Sequence, residues 1–424
     1  MKPKARDASD APLFELLDEL LALDPSPRAA GSSSLRARLV SRLYFAGFQV
    51  VEEIGNVGER TVPFVLGVKG RPRSSDRAVL VAATLRPGAV SPSRSRAAAE
   101  GLVSSGRLPA GVAGVACALE AMARLREAEV NRPLVFLVAF DEAARGSALH
   151  TARARYGFDV STALLLHPTA GGVALASPGV AAVDVALRHR QPAWQVDSLA
   201  HTTRVRARGE RAIPSLLAAL ARLACDGARV FDLAGSSDDD GEASGLLASG
   251  TAPGALDGLE LGPARPERVG YPFGPEVVGA HEVARALLCA FPAARAVELG
   301  SDHDTLRLGL RLPVPAGADL AATDVELERV IGGLPIHPDL ELEVTPRLHR
   351  PPFVAGARAR DLLALKAPGL ETASSPLASE AGFAGTPDVL LLGPEAPGQG
   401  DTLPRERVVA ITALMSRLLT RLLS

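Results

Sequence analysis

The sequence predicts an α/β fold in which a three-layer, mostly parallel sheet domain is interrupted by an inserted α+β domain, and three observations carry this. Short apolar runs alternate with helix-period segments over the first ~170 residues. The pattern changes near Gly179, and the first style returns after the proline-rich stretch 350–352. At 424 residues and 47% hydrophobic content, the chain is too long for one ordinary core.

Residues 12–23 and 34–45 read as amphipathic helices separated by the Pro/Gly/Ser stretch 24–33. Residues 64–68 and 78–83 are short β-like runs, 112–124 is helical, and 134–140 is a continuous apolar strand. A helix over 147–156 and a strand over 163–166 follow. In the insert, 180–187 alternates small or apolar residues and 213–223 forms a helix. The loop-like stretch 235–241 carries Asp238, Asp239 and Asp240, which lack the alternate spacing of a calcium loop and read as a solvated tip. A Pro/Gly-rich segment then runs to residue 275, a helix covers 281–290, and strand 306–312, helix 319–331 and strand 340–344 close the insert. Strand 389–392 and helix 406–423 return to the first domain. The expected division is therefore 1–177 with 350–424, and 178–349 for the insert.

A formal net charge of −2 excludes a basic field that would drive binding to nucleic acid or to an anionic membrane. Lys2, Lys4, Lys69 and Lys366 are the only lysines in an arginine-, alanine- and glycine-rich chain, a bias of GC-rich genomes that makes a bacterium the expected source. Cys117, Cys225 and Cys289 are odd in number and embedded in apolar helical runs, so buried free thiols are expected rather than disulfides or a metal knuckle. Neither a secretory signal nor a charge-free apolar span is evident, which makes the cytoplasm the expected location. No GxSxG elbow, P-loop or GxGxxG fingerprint is present.

Several local patterns occur in order. A strand ends in Ala83-Thr84-Leu85-Arg86; Pro109-Ala110-Gly111 opens a glycine-rich helix start; a strand runs into Asp141-Glu142-Ala143; and Leu166-His167-Pro168-Thr169 forms a turn. Ala200-His201-Thr202 is followed by Gly209, Leu310-Arg311-Leu312 lies in a strand, and Ser379-Glu380-Ala381, Gly393-Pro394 and Asp401-Thr402 close the series. Over nearly the whole chain this order resembles the family of di-zinc metallohydrolases that includes aminoacylase, succinyl-diaminopimelate desuccinylase, acetylornithine deacetylase and glutamate carboxypeptidase.

The resemblance implies a role for each position. Thr84 stands where a zinc-binding histidine is expected, Arg86 where an aspartate orients it, and Ala110 where an aspartate bridges two metals. Glu142 holds the place of the general base and Ala143 that of a zinc-binding glutamate. His167 replaces a metal-binding carboxylate, and the last histidine ligand falls near Asp401. His201 matches the histidine of the inserted lid that reaches a neighbouring subunit's active site and polarises the scissile carbonyl, and Arg311 matches the arginine that binds a substrate carboxylate.

Zinc is held by nitrogen, oxygen or thiolate donors, and alanine offers none. Without metal, no water is acidified for Glu142 to use. The expectation is thus a protein without zinc or other cofactor, inactive as a hydrolase, homodimeric through the lid, and acting in binding or scaffolding, with a small carboxylate or peptide as a possible ligand. The alternative is an active amidohydrolase or peptidase acting on N-acyl amino acids or small peptides. It would use zinc at a rearranged site, with His167 and Asp401, or His150, as ligands. A third reading is a metal-free small-molecule binder that uses a polar pocket between the domains. Each survivor also has a plainer reading: Asp141 and Glu142 as residues that begin a helix, and His167 as an ordinary hydrogen-bonded turn residue.

Overall fold

The computed structural model describes residues 10–23, 34–57, 60–70, 77–85, 95–98, 101–104, 111–125, 130–140, 148–190, 198–209, 211–226, 228–236, 242–248, 259–269, 271–302, 304–365, 372–375, 379, 381–396 and 402–424. It divides into two compact units. One is Met1–Gly179 with Pro315–Ala318 and Arg350–Ser424; the other is Val180–Val314 with Asp319–His349.

The first unit opens with helices α1 (Ala11–Leu21) and α2 (Leu35–Phe45). Strands β1 (Gln49–Val57), β2 (Arg60–Lys69) and β3 (Ala78–Leu85) follow, then the short pair β4 (Ser95–Ala98) and β5 (Gly101–Ser104). Next come α3 (Val112–Ala123), β6 (Leu134–Phe140), α4 (Ala148–Tyr156), β7 (Val160–Leu166) and β8 (Val173–Ser177). The chain enters the second unit along β9 (Gly179–His189), β10 (Ser198–Arg208), α5 (Ala212–Cys225), β11 (Val230–Ser236) and β12 (Glu242–Ala248). That unit continues with β13 (Glu260–Leu261), β14 (Arg265–Val269), α6 (Pro275–Ala290), β15 (Arg295–Asp302), β16 (Thr305–Val314), α7 (Leu320–Gly332) and β17 (Leu340–Arg350). The return comprises β18 (Phe353–Val354), α8 (Ala357–Leu362), β19 (Thr372–Ser374), β20 (Val389–Leu392), β21 (Thr402–Pro404) and α9 (Arg405–Leu423).

The large sheet of the first unit has the order β1-β2-β6-β3-β7-β20-β8-β18, with β19 beside β8. Its centre is parallel: β6, β3, β7 and β20 all run the same way, while β1, β2, β8 and β18 pair antiparallel at the flanks. Every residue of β6 and β7 is buried, which explains their unbroken apolar sequences: neither face of a central parallel strand meets water.

Strand register fixes which helix covers which face. Val65 pairs with Val138, and Val138 with Ala83, so these side chains share one face. Gly67, two residues beyond Val65, lies against Leu43 and Phe48, and Leu85, two beyond Ala83, lies against Gly111. Helices α2 and α3 therefore cover this face, and α1 and α9 pack on α3. Glu53, opposite Phe64, points to the other face and meets Arg155 of α4 at 3.0 Å. The result is three layers. Helix α9 buries Val408, Ile411, Met415, Leu418, Leu419 and Leu422, the stripe expected of a helix with one face on the core.

The second unit has a sheet in the order β13-β10-β12-β11-β15-β16-β9-β17, with β14 beside β10. Helix α5 packs on β10, β11, β12 and β15, and α6 on β16. On β16 the alternate residues Leu306, Leu308, Leu310, Leu312 and Val314 are buried, which leaves Arg311 on the opposite face.

Two expectations need correction. Helix α6 begins at Pro275 rather than near His281; Pro at its first position and Glu276 in its first turn are helix-start signals that the Gly/Pro-rich context obscures. All three cysteines are free, but only Cys117 is buried. Cys225 and Cys289 are exposed because each lies in the last turn of its helix. The run Asp238-Asp239-Asp240 lies outside the described residues. No helix among the described residues is long and apolar enough to cross a membrane.

Candidate functional site

Open α/β sheets gather ligands at the carboxyl ends of their parallel strands. Here β3, β6, β7 and β20 end together: Leu85 pairs with Phe140, Ala83 with Leu166, and Leu166 with Leu392. Thr84 is half-buried at the end of β3, and His167 is half-buried directly after β7. His167 Nε2 lies 2.8 Å from Ser375 Oγ, a buried hydroxyl that follows β19. Which of the two atoms donates depends on the imidazole tautomer.

The turn after β7 interlocks with the end of β20. His167 N–H donates to the Leu392 carbonyl at 3.1 Å, Gly171 N–H to that of Gly393 at 2.9 Å, and Ala170 N–H to that of Glu395 at 2.7 Å. Gly393 N–H donates to Thr169 Oγ1 at 2.9 Å. A Cβ at Gly393 would collide with the His167 carbonyl oxygen, so glycine is required by close approach. Ala170 adopts a left-handed φ of 57°, an uncommon conformation for a residue with a Cβ, at the centre of this turn.

Glu395 carries the same junction to α3. Its Oε1 accepts from Gly114 N–H at 3.1 Å, and backbone hydrogen bonds from Ala113 and Gly111 also favour its charged form. The first N–H groups of a helix have no partner within the helix, and its dipole favours an anion there. Burial raises the Glu395 carboxyl above its usual range, and the backbone hydrogen bonds oppose that shift. Burial also pushes the Cys117 thiol, on the same helix, up to about 12; the Thr412 side chain pulls it down and the charge of Glu395 adds to the rise. The helix starts after Gly111, whose φ of 92° and contact with Leu85 leave no comfortable room for a side chain.

The structure thus brings Thr84 and His167 to one edge of the parallel sheet. Arg86, Ala110, Asp141, Glu142, Ala143 and Asp401 lie outside the described residues. His150 is exposed on α4, its ring centroid 6.0 Å from that of Phe383. In the second unit His201 is exposed on β10, opposite Pro266 of β14, and Arg311 is half-buried on β16, opposite Arg295 of β15. Strands β10 and β16 are four places apart in their sheet, about 19 Å at ~4.8 Å per strand, so these two side chains do not converge within one chain. Among the described residues, no group of three or more His, Cys, Asp or Glu side chains is placed to hold a metal ion.

By sequence the chain matches no family model and no curated protein. By structure it matches the aminopeptidase PepT of Bacillus cereus ATCC 10987 with a TM-score of 0.56 at 12% identity, covering 97% of this chain and 98% of that one. Human carnosine dipeptidase 1 matches with a TM-score of 0.55 at 11% identity, over 98% of each chain. The YXEP protein of Bacillus subtilis, described as a dinuclear metal-binding peptidase of the M20 family, matches at 0.51 and 12% identity over 99% of each chain. The fold is that of the M20 metallopeptidases.

These matches cover 97% and 99% of this chain, so the likeness extends over nearly the whole architecture rather than a shared fragment. Ser375 and Glu395 are the two members of the junction that local sequence pattern does not flag. Ser375 follows the short β19, and Glu395 follows a Gly-Pro pair; neither sits at a spacing that signals chemistry.

Proposed function

We propose that this chain uses the M20 metallopeptidase fold without a di-zinc centre and without hydrolysis, and acts by binding or scaffolding. The observation that carries this reading is the donor chemistry at the sheet's carboxyl edge. Thr84 offers a hydroxyl, a poor zinc ligand, and His167 holds its Nε2 against Ser375. By the resemblance Ala110 and Ala143 stand at two further ligand positions, and a methyl group supplies no donor in any conformation. These residues do not fit a dinuclear centre of the kind named for the Bacillus subtilis match. A general base at Glu142 then has no metal-acidified water to act on.

A small carboxylate or short peptide held through Arg311, and a homodimer through the second unit with His201 turned to its partner, belong to the same proposal. Arg311 offers a planar, always-charged fork suited to a carboxylate. The test is to incubate the purified protein with excess zinc, desalt it, and measure metal by elemental analysis alongside hydrolysis of N-acyl amino acids and dipeptides. Near-zero zinc and no chelator-sensitive hydrolysis are expected. Stoichiometric zinc, lost together with an activity on chelation, overturns the reading in favour of a rearranged metal site using His167 and Asp401.

A further inference from the structure

Helices α1, α2 and α3 of the first unit line a cavity of about 580 Å³, within the size range of small-molecule sites. We infer that it binds an amphiphilic carboxylate, a carboxylate head on a short apolar chain, with the head at Lys69 and the chain between Phe45 and the buried residues of α1 and α3.

Lys69 ends β2 opposite Leu134, the first residue of β6, so the cavity lies at the amino edge of the parallel strands, across the sheet from Thr84 and His167. The lysine is half-buried. Among the described residues its Nζ donates to the Ala46 carbonyl at 2.9 Å and lies 5.6 Å from the Phe48 ring centroid, and it meets no carboxylate. An ammonium has three donors and loses hydration as it is covered, so a lysine on a cavity wall with one carbonyl for a partner is short of an anion. Composition adds a second sign. Only Lys2, Lys4, Lys69 and Lys366 among the 46 cationic residues are lysine, and Lys69 is the one that falls among the described residues. Arginine is the default cation of this chain, and the compact point charge of an ammonium stands here in its place.

The other charges of the cavity are matched or screened. Glu19 receives both Arg38 and Arg42, and Glu120 accepts from Arg124 at 2.9 Å. Glu15 is exposed on α1, where water and salt screen it. The apolar walls are unequally covered: Leu16, Leu119 and Met122 are buried, whereas Phe45 at the end of α2 is 84% exposed. An apolar chain laid between them takes the Phe45 ring out of water. A bare anion would leave that ring wet, and a neutral hydrocarbon would leave Lys69 unmatched. Free acids of medium chain length and N-acyl amino acids share the chemistry that satisfies both.

The experiment is isothermal titration of octanoate and of N-octanoylglycine into Arg311→Ala protein, a background that removes the carboxylate contact proposed for the second unit, so that the two readings fail separately. Saturable binding of at least one is expected, and the tighter of the two tells a free acid from an acylated amino acid. Octanol, which lacks the charged head, and butanoate, which lacks the chain, are expected to bind at least tenfold more weakly. Adding Lys69→Gln removes a charge-assisted hydrogen bond and is expected to weaken the acid about tenfold or more. Phe45 is exposed, so Phe45→Ala keeps the fold even should Lys69→Gln not, and it is expected to weaken the acid several-fold. In Phe45→Trp the new indole is expected to shift its emission to the blue as the acid saturates, over the constant signal of Trp194. No saturable binding of either acid, octanol binding as tightly as octanoate, or binding that neither Lys69→Gln nor Phe45→Ala weakens overturns the site.

Discussion

His167 Nε2 and Ser375 Oγ are hydrogen-bond partners at 2.8 Å although 208 positions separate them in the chain. The pair joins the end of β7 to the segment after β19, at the edge of the sheet where the fold's chemistry is expected. An imidazole held in this way is positioned by a neutral hydroxyl. Ser375→Ala removes that partner while leaving the backbone bond from Ser375 N–H to the Ala176 carbonyl, 2.8 Å, untouched. The expected cost is about 0.5–1.5 kcal/mol, measured by urea unfolding. A wild-type unfolding curve for Ser375→Ala would mean that the bond contributes nothing net.

Glu395→Gln tests the carboxyl through pH. Its folded pKa is raised by burial above the unfolded value, so between the two the native state binds more protons, and this group's contribution to stability falls as pH rises through the folded pKa. Glutamine keeps an acceptor for Gly114 N–H but carries no charge. The stability of Glu395→Gln relative to wild type is therefore expected to grow as pH rises from the ordinary glutamate range through the folded pKa, and then to level off. Denaturant titrations from pH 4 to 8 measure it. A difference that shrinks with rising pH would mean that the hydrogen bonds outweigh desolvation.

How much of this was legible in the sequence follows from the range of the interactions. Strands such as β6 and β7 are written locally as unbroken apolar runs, and α9 as a 3.6-residue stripe, because burial of a whole face acts on neighbouring residues. The start of α6 was hidden because Pro275 reads as a breaker until its place in the first turn is known. The ordered motifs placed Thr84 and His167 at one sheet edge, since strand ends are local features. Glu395 and Ser375 were not legible for the opposite reason. Gly114 lies 281 positions from Glu395, and no local period encodes a contact between a strand end and a helix start so far apart.

Rebuilding the donors tests the proposed loss of metal directly. The combined variant Thr84→His, Ala110→Asp, Ala143→Glu, His167→Asp and Asp401→His restores the donor types that the resemblance places at these positions. Zinc affinity is expected to rise at least tenfold over wild type, about 1.4 kcal/mol, while Thr84→His alone changes little because one new ligand cannot assemble a site. Isothermal titration of zinc into both proteins reads the difference. Tight zinc binding by wild type, unimproved in the combined variant, would contradict the proposed loss.

The three thiols separate by environment, and that gives a probe of the α3–α9 packing under the site. Cys225 and Cys289 are exposed at helix ends, whereas Cys117 is buried with its Sγ 3.6 Å from the Val408 carbonyl of α9. The thiolate is the reactive form, and a thiol pushed up to about 12 is ionised to roughly one part in 10⁴ at pH 8. In native protein Cys225 and Cys289 are expected to react quickly with a maleimide, and Cys117 only as fast as α3 separates from α9. Denaturant should bring Cys117 to the rate of the others, and mass spectrometry of labelled peptides identifies each site. Labelling of Cys117 at the exposed rate in native buffer would mean that α3 is not held against α9, and would remove the rigid support on which the Glu395 junction depends.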